Sequence, residues 1–223
     1  MRRGLTAVLV AGVLAGCGSS GDDAGKDTGK STGKSSGESA AKGDAKATPS
    51  ASAPAAASGG ALGAKGSACA LPVTFETAAK WKAESIETPA GADASLAGLL
   101  TQGPVTGVCE IDAKPAGHVG FIRVYQGKPG NADARAVLRD FVAAEKNVSE
   151  EKYQTFTAGT ATAVEVSYRV KVELLDEVKT EHALAVSTPS GPVVIHLGGL
   201  DDAEHTAMLP AFDLAKRTLR VTA

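Results

Sequence analysis

Val164, Val166, Tyr168, Val170, Val172 and Leu174 alternate without a break with Glu165, Ser167, Arg169, Lys171 and Glu173. Successive side chains of a strand point to opposite faces, so this stretch can satisfy its pattern only as a β-strand with one buried and one wet face. That is the signature of an antiparallel sheet covered on one side. Asp176-Glu177 then predicts a tight reversal into a strand over Val178–Ser187, and Pro189-Ser190-Gly191 a second reversal into Pro192–Leu197. The expectation is a three-stranded meander.

The other elements build on it. Leu71–Phe75 and Trp81–Ile86 read as short strands joined through a turn at Thr77–Lys80, and Val105–Ile111 and Val119–Gln126 as two more. The last of these is apolar on both sides, which predicts a place near the middle of the sheet. Pro89–Ala94 reads as a loop and Ala94–Leu100 as a short helical turn. Ala134, Val137, Leu138, Phe141 and Val142 recur at helical spacing, opposite Arg135, Arg139, Asp140 and Lys146, with Asn131 as a possible cap. Asp201 or Asp202 caps a last helical region through Leu219, with Leu209, Phe212, Ala215 and Leu219 as its inward stripe. Pro210 is expected to divide that region or to start a fresh helix. The fold class predicted is α+β, a mostly antiparallel twisted sheet with flanking helices.

The chain before about residue 68 is of another kind. Arg2 and Arg3 precede an apolar run from Leu5 to Leu14, the layout of a secretory signal peptide and roughly half the length of a spanning helix. From Gly18 to Gly66 the sequence is mainly Gly, Ser, Ala, Lys, Asp, Thr and Pro, with no aromatic residue and Leu62 as the one large aliphatic. Such a composition cannot bury enough apolar surface to offset chain entropy, and predicts a disordered, solvated tether. A flexible chain of about fifty residues has a root-mean-square span near ~40 Å. The domain organisation expected is thus a signal peptide over 1–16, a tether over 17–67 and one folded domain over 68–223.

Leu14-Ala15-Gly16-Cys17 resembles the lipobox of bacterial lipoproteins. The resemblance implies that Cys17 receives a diacylglycerol thioether and palmitate-type acylation and becomes the mature N-terminus. Two or more acyl chains give a stable anchor where one gives only marginal binding. The location implied is the extracytoplasmic face of the cell membrane. With Cys17 assigned to lipid, Cys69 and Cys109 remain, and in a secreted chain a disulfide between them is the simpler reading, two free thiols being the alternative. Closing a loop of about forty residues would stabilise the fold by roughly 4 kcal/mol in the chain-entropy model.

Val73-Thr74-Phe75 followed by Trp81, the long strand around Tyr168, and Leu209-Pro210-Ala211-Phe212 running to Leu219-Arg220-Val221 resemble the PsbP-like fold of lipid-anchored actinobacterial proteins. The resemblance implies a non-catalytic domain that associates with an envelope protein or a small ligand, without an active-site signature. Trp81 is read first as core packing, with a partner-binding surface as the other reading.

Residues 69–223 hold fifteen Lys and Arg against twenty Asp and Glu, so phosphate backbones meet no basic surface and nucleic acid is not an expected partner. Asp201-Asp202-Ala203-Glu204-His205 is the nearest approach to a metal or acid-base cluster, since Asp201 and His205 share a helix face. Acidic residues gather equally at helix starts because they cap free amides and match the dipole, and that is the favoured reading. His118, His182 and His196 show no ligand spacing. No cofactor, metal site or nucleophile motif is expected. The competing class is an extracytoplasmic hydrolase whose site is assembled from distant residues such as Asp201, His205 and a serine.

Overall fold

A computed structural model describes residues 55–87 and 98–222. Cys17, the signal peptide, most of the tether, and the Pro89–Ala94 loop lie outside the described residues, as does all but the end of the helical turn expected at Ala94–Leu100. The described residues belong to one unit.

Its centre is an antiparallel sheet of eight strands. They are β3 (Lys82–Ser85), β4 (Thr101–Gln102), β5 (Val105–Asp112), β6 (Gly120–Gly127), β7 (Val148–Ala158), β8 (Ala161–Val172), β9 (Glu177–Val186) and β10 (Val193–Gly199). The order across the sheet is β3-β5-β6-β10-β9-β8-β7, with β4 paired to β5. A smaller sheet holds β1 (Ser58–Leu62), β2 (Val73–Ala78) and β11 (Arg220–Val221) in the order β1-β2-β11. Two α-helices are described over their full length, α1 (Ala134–Ala143) and α2 (Asp202–Thr218), with a 3-10 turn at Lys114–Ala116. The predicted α+β class is what forms.

The large sheet is central because β10 is apolar on both sides: Val193, Val194, Ile195 and Leu197 are all buried. A strand of that kind needs a covered surface above and below. One surface packs β10 residues Val193, Ile195 and Leu197 with Ile111, Ile122, Val124, Leu184 and Val186 under α2 and the small sheet. The other packs Val194 with Val164, Val166, Tyr168, Ala183 and Ala185 under α1.

The chain departs from the sequence reading at several points. The folded part begins ahead of residue 68, since β1 pairs with β2 from Ser58 opposite Ala78 to Leu62 opposite Phe75. Its glycines are packed, not slack: a Cβ on Gly59 would lie 2.6 Å from the Ala78 carbonyl oxygen, and one on Gly63, at φ +102°, 1.9 Å from that of Val73. Only glycine lets the backbone come that close. The meander has four strands, because the polar run from Val148 forms β7, paired along β8 at the sheet edge. β8 stops at Val172, so Leu174 stands 94% exposed on the hairpin tip and not on the buried face.

At the start of α1, Asp133 and not Asn131 is the cap, its Oδ1 accepting the Ala136 N–H at 2.8 Å. Pro210 neither divides nor starts a helix. α2 runs through it, and the buried residues on either side, His205 and Met208 before and Ala211 and Phe212 after, hold both halves to the sheet against the local cost of proline. Met208 and Ala211 replace the half-buried Leu209 in the inward stripe. Trp81 is half-buried and packs on the core edge. Cys69 and Cys109 are joined, with 6.0 Å between their Cα atoms, and both are buried. The bridge pins the chain ahead of β2 to the centre of β5.

Candidate functional site

α1 is ten residues long and covers only part of its side of the sheet. Beyond its C-terminal end the strands continue, and side chains at Arg123 on β6, Glu181 on β9 and His196 on β10 alternate onto that same face. What they floor is a cavity of about 510 Å³. Glu145, just past α1, and Gln102 on β4 line it from the side, and the exposed Val119 and Leu200 line its mouth. Val119 and Leu200 are held together by the Leu200 N–H donating to the Val119 carbonyl at 3.1 Å. The volume is that of a small-molecule pocket.

The floor is polar and buried. Glu181 is 2% exposed, and a bare carboxylate there would be prohibitively costly. It is paired twice: the Lys179 ammonium lies 2.6 Å from its Oε1, and His196 Nε2 bonds its Oε2. Burial alone would raise its pKa, but His196 and Lys179 together outweigh that and hold it well below the usual carboxylate range. Lys179 also donates to the Gly199 carbonyl at 3.1 Å. Arg123 is engaged with Glu110 and lies 4.3 Å from the Phe121 ring centroid.

The hydroxyl of Tyr168, a fully buried side chain of β8, sits between two acids: Oη is 3.1 Å from Glu145 Oε2 and 3.3 Å from Glu181 Oε2. A phenol carries one proton and donates to one of them at a time. Burial, then the neighbouring Glu181 and Glu145 charges, push the phenol far above its ordinary range, so it stays protonated. Burial and then the charge of Glu181 push the Glu145 carboxyl up as well.

Under α2 the sheet presents a different cluster. Asp201 does cap the helix, its Oδ1 accepting the Glu204 N–H at 2.8 Å. Asp202 accepts the Thr180 N–H and lies 3.4 Å from the Arg169 guanidinium, fastening the helix start to β8 and β9. His205 is buried, and its Nε2 lies 2.8 Å from Nδ1 of His182 on β9, the rings stacked at 4.9 Å. Burial, then the proximity of His182, drop His205 to about 4, and burial lowers His182 too. Both imidazoles are therefore neutral near pH 7, sharing one proton in their contact.

The sequence places Asp201 and His205 on one helix face; in the structure Asp201 is the cap ahead of the helix, and His205 meets a histidine and not a serine. The constellation expected for a hydrolase is not assembled among the described residues. Nor do three or more His, Cys, Asp or Glu gather as metal ligands there. His118 Nδ1 reaches Glu204 at 3.4 Å. The two clusters that do form, Glu145–Tyr168–Glu181–His196 and His182–His205, were not legible as sites. One signal was present: Glu181 and His196 are polar residues inside strands that otherwise read as core.

No helix among the described residues is long and apolar enough to cross a membrane. No curated protein matches the sequence at a significant level. Among solved structures, the chain is similar to the solution structure of cyanobacterial PsbP (CyanoP) from Synechocystis sp. PCC 6803, at 13% identity and a TM-score of 0.46 over 67% of this chain and 86% of that one. That likeness is too loose to bring an activity or a partner across. A family model described as "uncharacterised lipoprotein" matches residues 39–219, most of the chain, and the protein belongs to that lipoprotein family.

Proposed function

We propose that the protein is a lipid-anchored module on the extracytoplasmic face of the cell membrane, held through a thioether on Cys17, and that its α+β domain binds a small ligand without transforming it. The observation that carries the binding role is the half-covered sheet: α1 stops short, and the strand face beyond it floors a cavity of about 510 Å³ whose buried polar groups are already ordered. Preorganised polar groups in a concave, partly apolar site are what fix a ligand's orientation. The non-catalytic reading is supported by the engagement of the floor's charged groups with one another, Glu181 with Lys179 and His196 and Arg123 with Glu110. His196 already commits Nε2 to Glu181. A protein-interaction role is the second reading, favoured by the exposed Leu174 and Leu175 on the β8–β9 hairpin tip.

Native mass spectrometry of the membrane-extracted chain tests the first reading. A small-molecule adduct is expected on the wild type and absent from Val119→Trp, which plugs the mouth. An adduct unchanged in that variant places binding elsewhere. Fatty-acid labelling tests the anchor: Cys17→Ala is expected to lose the label and leave the membrane fraction.

A further inference from the structure

Glu145 lines the cavity and makes no ion pair among the described residues: Lys179 is engaged with Glu181 and the Gly199 carbonyl, and Arg123 with Glu110. The one donor near Glu145 is the Tyr168 hydroxyl, which it shares with Glu181. A partly buried carboxylate without an ion-pair partner is costly alone, and is relieved by an N–H donor that carries positive charge.

We infer that the cavity takes a ligand bearing a protonated amine, with Glu145 as its counter-ion. This rests on the reading of the cavity as a ligand site and names the chemistry it selects. The groups facing Glu145 are Tyr168 on β8, Glu181 and Lys179 on β9, and His196 on β10. The Glu181 charge works against an ionised Glu145, and a ligand ammonium beside it offsets that repulsion. The apolar mouth at Val119 and Leu200 suits a carbon skeleton behind the ammonium.

Three probes of one shape separate the possibilities: phenethylamine, the neutral 2-phenylethanol and the anionic 3-phenylpropionate, titrated into the full mature chain by calorimetry and followed on backbone amides of β6, β9 and β10. The amine is expected to bind at least about tenfold tighter than the alcohol, the scale of one charge-assisted hydrogen bond, and the acid weakest. Glu145→Gln, which keeps the shape of the side chain, should bring the amine down to the alcohol's affinity and leave the alcohol unchanged. If the alcohol binds at these amides as tightly as the amine, or the amine is indifferent to Glu145→Gln, the charge selection is overturned while the cavity reading stands. If none of the three perturbs these amides, both are overturned.

Discussion

The two surfaces of the large sheet solve the same burial problem in opposite ways. Under α2 and the small sheet the surface is closed: its histidine pair, His182 and His205, is kept neutral, and its charges, Lys216 with Glu165 and Asp202 with Arg169, are paired between helix and sheet. Under α1 the surface is closed for part of its length and then opens onto a cavity whose floor holds the ionised Glu181. One surface uses its polar groups on its own contacts, while the other leaves some facing a cavity. The difference teaches that the first surface is built for stability and the second for contact with something else. It also predicts that the two should respond differently to substitution and to acid.

The largest contrast lies in packing. Phe212 is fully buried on α2, its ring 5.9 Å from that of His182. Phe212→Ala should cost about 3–5 kcal/mol, the usual range for removing a core aromatic. Val119→Ala at the cavity mouth should stay within about 0.5 kcal/mol. Urea unfolding of both variants measures the gap, and comparable losses would erase the distinction between a structural and an open surface.

Next in size is the paired charge on the open surface. Glu181→Ala strands Lys179 and leaves His196 without its acceptor, and breaking a buried pair from one side should cost about 3 kcal/mol. Lys179→Met removes the ammonium that lies 2.6 Å from Glu181 Oε1. The double variant should be less destabilised than the sum of the two, and chemical denaturation in a double-mutant cycle checks it. Strict additivity would mean the network is not coupled.

How far the sequence could be read follows the same division. The strands of the closed surface, the helices and the Cys69–Cys109 bridge were legible because periodicity and cysteine count report burial directly. β7 was not, because an edge strand with exposed Glu150, Glu151 and Lys152 lacks the alternation that marks a buried face. β1 was hidden by composition, which cannot distinguish a glycine in a linker from Gly59 pressed against Ala78. The clusters were illegible for a third reason. Glu181 and His196 are brought together by register between β9 and β10, and His182 and His205 by the docking of α2. Neither pairing has a spacing along the chain.

Acid separates the two surfaces in order. His205 sits near pKa 4 in the fold against an ordinary 6.5, so above about pH 6.5 both folded and unfolded chains leave it neutral and nothing is lost. Between 6.5 and about 4 the unfolded chain takes up a proton that the fold refuses, and stability should fall by about 3 kcal/mol. Glu181 works in a lower window: its pKa is depressed from 4.5 to about 2, so the stability it supplies is present above 4.5 and drains only as pH falls toward 2. Melting curves from pH 8 to 3 should show the first decline, and His205→Phe should make it shallower without moving the second. A first decline that His205→Phe leaves untouched would assign it to some other group.

The smallest effect is the most discriminating, because its sign is unusual for a substitution of a hydrogen-bonded residue. Glu145 is held above the ordinary carboxylate range by burial and by Glu181, so its ionised form is a burden on the fold at neutral pH. That burden is fully present above its folded pKa and disappears as pH falls below 4.5, where the unfolded chain is protonated too. Glu145→Gln keeps an amide in place of the neutral acid, with an oxygen still able to accept from Tyr168. It should stabilise the protein at pH 8 by under about 1 kcal/mol, the range for a side chain outside the packed core, and the advantage should vanish near pH 4. A loss at pH 8 would mean that the ionised carboxylate is already compensated in the empty fold. The open surface would then be as self-sufficient as the closed one.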